Sequence, residues 1–145
     1  MLTGRGLPKR DMGLVTMQVV DWDGPIVEIL FRQPILTEHD VEELLSEARS
    51  FMDQQVVPAG ATHVYFLTCY DGFSVSRQQA RRLRDAFVSF NAAYSKGDAR
   101  YGGSLVAQTL VIATAVRSES ASEMHATRDE ALQRLRARIL REAHR

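Results

Sequence analysis

Residues 63–76, HVYFLTCYDGFSVS, decide how this chain folds. His63–Thr68 is a short, nearly continuous apolar run, which is typical of a strand buried in the middle of a sheet. The loop Cys69–Val75 follows it, and Ser76 with Gln79 has the spacing of a capping box at a helix start. The stretch therefore predicts strand, loop and helix in direct succession, the unit from which α/β folds are built.

Three helices are predicted by apolar residues at helical spacing behind a capping residue. The first helix begins after Thr37, whose hydroxyl pairs with Asp40 in a capping box. The second begins after Ser76, and the last begins after Thr127, which pairs with Glu130 in the same way. The apolar faces of the three helices are Val41, Leu44, Leu45, Ala48, Phe51 and Met52, then Ala80, Leu83, Phe87 and Phe90, then Ala131, Leu132, Leu135 and Ile139.

The other predicted strands are shorter or lie nearer the amino terminus. Residues 14–20 (LVTMQVV) and 26–33 (IVEILFRQ) flank the turn-forming sequence DWDGP of residues 21–25, which predicts a β-hairpin. A short strand is predicted near residues 99–103 (ARYGG) and another at Ser122–Ala126. Pro58-Ala59-Gly60 ends the first helix.

The segment Ser104–Arg117 (SLVAQTLVIATAVR) fits two structures. Leu105, Thr109, Ile112 and Val116 form a helical stripe, but β-branched residues dominate the segment and also fit a strand. We favour the helix, which brings the total to about four helices around a mixed sheet.

The chain is predicted to be one domain of the α/β class. Met1–Gly13 contains three glycines, a proline and three basic residues without apolar periodicity, so it predicts a flexible tail. Residues 14–145 then form the single domain, because no repeat or second boundary interrupts them and 145 residues is the usual size of one domain.

Composition excludes several classes of partner. The 18 basic and 18 acidic residues cancel, so no overall field attracts nucleic acid or an anionic membrane. The arginine-rich helices are interpreted as solvated or partner-facing surfaces. No apolar run is long enough for a membrane span, and the single cysteine, Cys69, cannot form an internal disulfide. We therefore expect a cytoplasmic protein.

Sequence motifs for catalysis and cofactor binding are missing. Gly102-Gly103-Ser104 lacks the lysine and the spacing of a phosphate-binding loop, and His39, His63, His125 and His144 are scattered without metal-ligand spacing. Cys69 ends a core strand and is interpreted as a packing residue, although a histidine brought close by folding could activate it. We expect neither cofactor nor metal, and no enzyme activity.

The loop after the central strand is the candidate site, because open α/β sheets bind their ligands beyond the carboxyl ends of the strands. Its structural interpretation is that Asp71-Gly72 makes the turn, Phe73 anchors the loop to the core and a serine caps the helix. The candidate binding residues are Tyr70, Asp71, Gly72, Phe73, Ser74, Ser76 and Arg77.

Together, the hairpin, the strand HVYFLT, the loop CYDGFSVS with the helix RQQARRLRDAF, RYGG and the closing TRDEALQRLRA resemble the STAS-like domains of bacteria, the group named for sulfate transporters and anti-sigma-factor antagonists. The resemblance covers about residues 14–140. Signalling members of the group carry Asp-Ser-(Ser or Ala)-Gly in this loop, with a serine that a partner kinase phosphorylates. Residues 71–76 depart from that motif, so Ser74 and Ser76 are positional candidates for phosphorylation.

Three functions follow as hypotheses. The first is a non-catalytic, regulatory protein-interaction domain that docks a protein, or a second copy of this chain, through Asp71–Ser76 and the helix Arg77–Tyr94. The second is a carrier of a lipid or small apolar molecule, suggested by the apolar segment Leu105–Val116 and the aromatic residues of the second helix. The third is an enzyme with Cys69, Tyr70, Asp71 and a histidine in its site.

Overall fold

The computed structural model describes residues 6–103 and 124–144, and in these residues six strands form one mixed sheet with three helices. The elements in chain order are β1 (Lys9–Asp11), β2 (Val15–Asp21), β3 (Ile26–Phe31), α1 (Glu38–Phe51), β4 (Val64–Cys69), α2 (Ala80–Tyr94), β5 (Ser95–Tyr101), β6 (Met124–His125) and α3 (Arg128–Ala143). The predicted α/β class with a mixed sheet is confirmed. The fourth helix, predicted on residues 104–117, lies outside the described residues.

The order of the strands across the sheet is the order in the chain, from β1 to β6. β1, β2 and β3 pair antiparallel, and β3, β4, β5 and β6 pair parallel. The predicted hairpin is confirmed as β2 and β3. The parallel half places the loops after β3, β4 and β5 at the same edge of the sheet, as parallel pairing requires.

β4 has the central position that its apolar sequence predicted. All six of its side chains are buried, and it pairs with β3 on one side and β5 on the other. Because successive side chains of a strand point to opposite faces, β4 contributes to two cores. Val64 and Phe66 pack with α1 and α2 on one face, whereas Tyr65 and Leu67 pack with α3 on the other.

The amino-terminal segment departs from the predicted flexible tail. Lys9–Asp11 forms β1 and pairs with β2, and Val19 N donates a 2.8 Å hydrogen bond to Pro8 O. The Trp22 indole N–H also donates to Gly6 O at 2.8 Å. Because this edge strand is polar and only three residues long, it leaves no apolar alternation in the sequence.

The helix starts follow the predicted caps in two of three cases. Thr37 caps α1 in a complete capping box with Asp40, and the Thr127 hydroxyl accepts from Glu130 N at the start of α3. The Ser76 cap is wrong. α2 begins at Ala80 behind Gln79, which makes no side-chain cap bond, because the Ser76 hydroxyl donates to Leu36 O instead.

The remaining boundaries follow the sequence closely. α1 continues through a π turn (Met52–Val56) and a 3-10 turn (Val57–Ala59) and ends at Gly60, whose φ of +105° is the left-handed conformation that favours glycine. β5 begins four residues earlier than the predicted strand at 99–103, since Ser95–Asp98 already pairs with β4.

We expect Thr37→Ala to lower the free energy of unfolding by about 1 kcal/mol, because the first turn of α1 loses its side-chain acceptor. Urea denaturation measures the difference. Thr37→Ser keeps the hydroxyl and is the control. Equal losses in the two variants would show that the cap does not stabilise α1.

Candidate functional site

The loop after β4 is fixed at the carboxyl edge of the sheet by its neighbours. Ile35 N donates to Ser74 O and Ser76 N donates to Ile35 O, each at 2.8 Å, so the loop pairs with the segment that follows β3. The Asp71 carboxylate accepts from Gly103 N, also at 2.8 Å, which ties the loop to the segment after β5. Three chain segments therefore meet at this edge.

Two of the candidate binding residues lie in the core. Tyr70 and Phe73 are 6% and 9% exposed, and their rings meet edge to face with centroids 5.1 Å apart. Phe73 also packs edge to face on Phe31, at 4.8 Å. The interpretation of Phe73 as the anchor of the loop is confirmed. Both residues therefore contribute very little to the outer surface.

The other candidates lie at or near the surface. Asp71, Gly72, Ser74 and Arg77 are exposed, and Gly72 has the positive φ, +76°, of the expected turn. Ser76 is half-buried, and its hydroxyl is used in a 3.0 Å hydrogen bond to a backbone carbonyl. Of the two candidate serines, Ser74 is the more accessible.

Leu36 belongs to this surface and was not predicted to do so. Its side chain is 57% exposed, while the adjacent Ile35 is fully buried. The carbonyl of Leu36 accepts the Ser76 hydroxyl, which places Leu36 beside the loop. Its apolar character suggests a core residue, and only the alternation between Ile35 and Leu36 could have indicated an outward side chain.

Arginines extend this surface onto the start of α2. Arg82 pairs with Glu38 of α1 and Arg84 pairs with its neighbour Asp85. Arg77 and Arg81 are exposed, and within residues 6–103 and 124–144 neither has an ion-pair partner. We call the surface formed by Leu36, Asp71, Ser74, Arg77 and Arg81 the loop face.

A buried carboxylate on the opposite side of the sheet is the polar feature that the sequence did not reveal. Glu28 of β3 is 1% exposed and accepts from Gln18 Nε2 at 2.7 Å, from Arg128 Nε at 2.9 Å and Nη2 at 3.1 Å, and from the Tyr101 hydroxyl. Burial raises the pKa of Glu28, but the bonds from Arg128, Tyr101 and Gln18 together hold it below its usual value. Glu28 is therefore ionised at neutral pH.

Cys69 lies on the same face of the sheet as Glu28. Its side chain is buried, and burial raises the pKa of the thiol above its usual value. Burial and the bond to Glu28 likewise raise the pKa of Tyr101, which interacts with the thiol. Both groups are thus protonated at neutral pH and poor nucleophiles.

Two small cavities lie between the sheet and the helices α1 and α2. One, of about 20 Å³, has an apolar lining that includes Leu44, Leu83 and Phe87. The other, of about 50 Å³, has a partly polar lining that includes Asp98 and Arg100. A larger groove of about 550 Å³, lined by Trp22, Gln54 and Pro58 among others, is open to solvent at the opposite end of the sheet from the loop face.

Neither a metal site nor a membrane-spanning helix is present in the residues that the structure describes. Among the residues that the structure describes, no three His, Cys, Asp or Glu side chains group as metal ligands would. No helix in those residues has the length and apolar character needed to cross a membrane. Comparison with protein-family models, curated proteins and solved structures gives no match.

We expect Glu28→Gln to lower the free energy of unfolding at pH 7 by about 2–4 kcal/mol, because Arg128 loses its counter-charge in a half-buried position. The folded-state pKa of Glu28 is lowered, so its stabilisation is present above the unfolded value of 4.5 and is lost as the pH falls through the folded value. The difference between variant and wild type should therefore shrink in acid. Urea denaturation at pH 7 and pH 3 measures it.

Glu42→Gln is the matched control for this charge removal, since Glu42 is exposed. A Glu28→Gln difference that stays the same at both pH values would contradict an ionised Glu28.

We expect Cys69 in the native protein to react with iodoacetamide at pH 7.5 far more slowly than a free thiol, because it is buried and its pKa is raised. Mass spectrometry follows the reaction, and the protein in urea gives the unhindered rate. A native rate equal to that of glutathione would contradict this description of the thiol.

Proposed function

We propose that this chain is a non-catalytic, regulatory protein-interaction domain of the STAS-like type that binds its partner through the loop face. The proposal rests on Leu36, whose apolar side chain is exposed while its backbone is fixed to the loop after β4. Ile35 N, Ser76 N and the Ser76 hydroxyl each donate a hydrogen bond across this junction.

A fixed apolar side chain suits protein binding for an energetic reason. Ordering a loop at an interface costs free energy, and a loop that is already ordered avoids that cost. Leu36 would be the apolar centre of the contact, and Arg77 and Arg81 would lie at its border. Because these two cations lack ion-pair partners in the described parts of the chain, the complementary partner presents an apolar side chain flanked by acidic ones.

The reactive side chains nearest the loop are in states that favour binding over catalysis. Cys69 is a buried, protonated thiol. Burial raises the pKa of Tyr70 to about 12, so its hydroxyl does not serve as a base at neutral pH. Asp71 is bonded to a backbone amide. These states support the assignment as a non-catalytic domain.

The carrier hypothesis requires a larger enclosed space than the region under α2 offers. Pockets for small molecules hold about 300–1,000 Å³. The two cavities beneath α2 measure about 20 and 50 Å³. The proposed apolar segment Leu105–Val116 lies outside the described residues.

Phosphorylation of Ser74 would regulate partner binding at the loop face. A phosphate adds nearly two negative charges beside Leu36, and these would repel an acidic partner. Ser76 suits this role less, because its hydroxyl is already bonded to Leu36 O. The cytoplasm, where protein kinases act, is the location proposed for the chain.

We expect Leu36→Asp to weaken partner binding at least tenfold, because it places a charge at the apolar centre of the contact. The tagged chain is used to capture partners from its native cell, and titration calorimetry with the purified partner gives the affinity. Leu140→Asp is the matched control, because Leu140 is a similarly exposed leucine (61% against 57%) on α3.

The supporting result is one protein that binds wild type and Leu140→Asp equally and loses affinity for Leu36→Asp. Either the absence of a reproducible partner or equal effects of the two substitutions would contradict the proposal.

A further inference from the structure

β1 lies at an edge of the sheet, and its outer side has no neighbouring strand in the described residues. On its inner side, Pro8 O accepts from β2 at 2.8 Å and Met12 N donates to β2 at 2.9 Å. Backbone groups of successive residues point in opposite directions along an antiparallel strand. The groups of Arg10 therefore also point towards β2, whereas the N–H and C=O groups of Lys9 and Asp11 point outward.

The outward groups of β1 offer hydrogen bonds to another strand, because a free sheet edge pairs with an extended chain unless its side chains prevent it. The side chains of Lys9 and Asp11 are exposed. Asp11 Oδ1 accepts the Thr16 hydroxyl at 2.6 Å, which orients the carboxylate. Within residues 6–103 and 124–144, neither Lys9 nor Asp11 has an ion-pair partner. The edge thus carries one cation and one anion beside its outward backbone groups.

The order of these charges fits a second copy of β1. When two copies pair antiparallel about a twofold axis, three registers bring the outward groups of Lys9 or Asp11 together. One register places Lys9 opposite the partner's Lys9, and another places Asp11 opposite the partner's Asp11. The third, centred on Arg10, places each Lys9 opposite the partner's Asp11. Opposite charges across neighbouring strands stabilise the pair and like charges destabilise it, so the third register is selected.

Arg10 lies opposite the partner's Arg10 in this register. Its side chain points to the other face of the sheet from Lys9 and Asp11, and its guanidinium donates to Ser50 Oγ of α1 at 3.4 Å. The bond directs the charge towards α1 of the same subunit. Because the 18 basic and 18 acidic residues of the chain cancel, two copies also do not repel each other through their net charge.

We propose that two copies of this chain form a dimer in which β1 pairs antiparallel with the partner's β1. Four backbone hydrogen bonds and two ion pairs, each between Lys9 and the partner's Asp11, hold the two strands together. Both subunits use the same edge, so the assembly closes at two copies. The paired strand is only three residues long and buries little surface, so the dimer is weak. It shares no residue with the loop face and goes beyond the function proposed there.

Sedimentation equilibrium of the full chain at low salt, between about 10 µM and 1 mM, measures the dimer directly. We expect Lys9→Asp and Asp11→Lys each to weaken it at least tenfold, because both ion pairs become like-charge pairs. Mixing the two variants places opposite charges across the axis again and should restore a heterodimer. Glu42→Lys is the matched control, because it reverses an exposed charge on α1.

Hydrogen exchange of the wild type tests the register without any substitution. The amides of Lys9 and Asp11 point outward, so we expect their protection to rise with protein concentration. The amide of Arg10 already bonds to β2 and should change little. Leu36→Asp should dimerise as the wild type does, which separates this contact from partner binding at the loop face.

Melting temperatures show whether each variant folds, and the exchange of the wild type decides the outcome if one does not. The proposal is overturned if the chain stays monomeric at 1 mM, or if protection of the Lys9 and Asp11 amides does not depend on concentration. It is also overturned if the two reversals leave dimerisation unchanged, if their mixture forms no heterodimer, or if Leu36→Asp abolishes the dimer.

Discussion

The ionised carboxylate of Glu28 links two strands and a helix to the middle of the sheet. It lies in β3, where the antiparallel and parallel halves of the sheet meet, and it accepts hydrogen bonds from β2, β5 and α3. A buried charge is costly unless its hydrogen bonds are complete, and here both carboxylate oxygens accept two donors each. Arg128 is the first residue of α3, a position where the helix dipole disfavours a cation. Its bond to Glu28 accounts for an arginine at this position.

A continuous path of bonds joins Glu28 to the loop face. Tyr101, the last residue of β5, donates its hydroxyl to Glu28 and accepts Tyr70 N at its carbonyl oxygen, at 2.9 Å. Gly103 then donates to Asp71 in the next loop. The buried network on one side of the sheet thus positions the loop on which the proposed function rests.

The fold was largely predictable where burial follows periodicity. The strand at residues 64–69 was evident because both of its faces are buried, and α1 because Thr37 and its apolar stripe agree. β1 was not, since a polar edge strand is stabilised by backbone pairing alone. The Ser76 cap failed because a carbonyl of another segment competes for the hydroxyl, and sequence spacing does not show that contact.

The candidate site was predictable in position only. Parallel strands and the turn at Asp71-Gly72 indicated the edge of the sheet, but Leu36 joins it through a tertiary contact. Glu28 has apolar neighbours on both sides in β3. Its three hydrogen-bond partners are residues 18, 101 and 128, which are distant in sequence. Such groupings depend on the folded sheet, and no local pattern shows them.

The hydrogen bonds between the Ile35–Leu36 segment and the loop after β4 fix the loop face in the free chain. Hydrogen exchange of the Ile35 and Ser76 amides in the free protein tests it most directly, because both amides bond across the junction at 2.8 Å. We expect both amides to be protected, with exchange much slower than that of the amide of exposed Arg77. Exchange of the Ile35 and Ser76 amides at the rate of an unfolded chain would show that the loop face is not preformed.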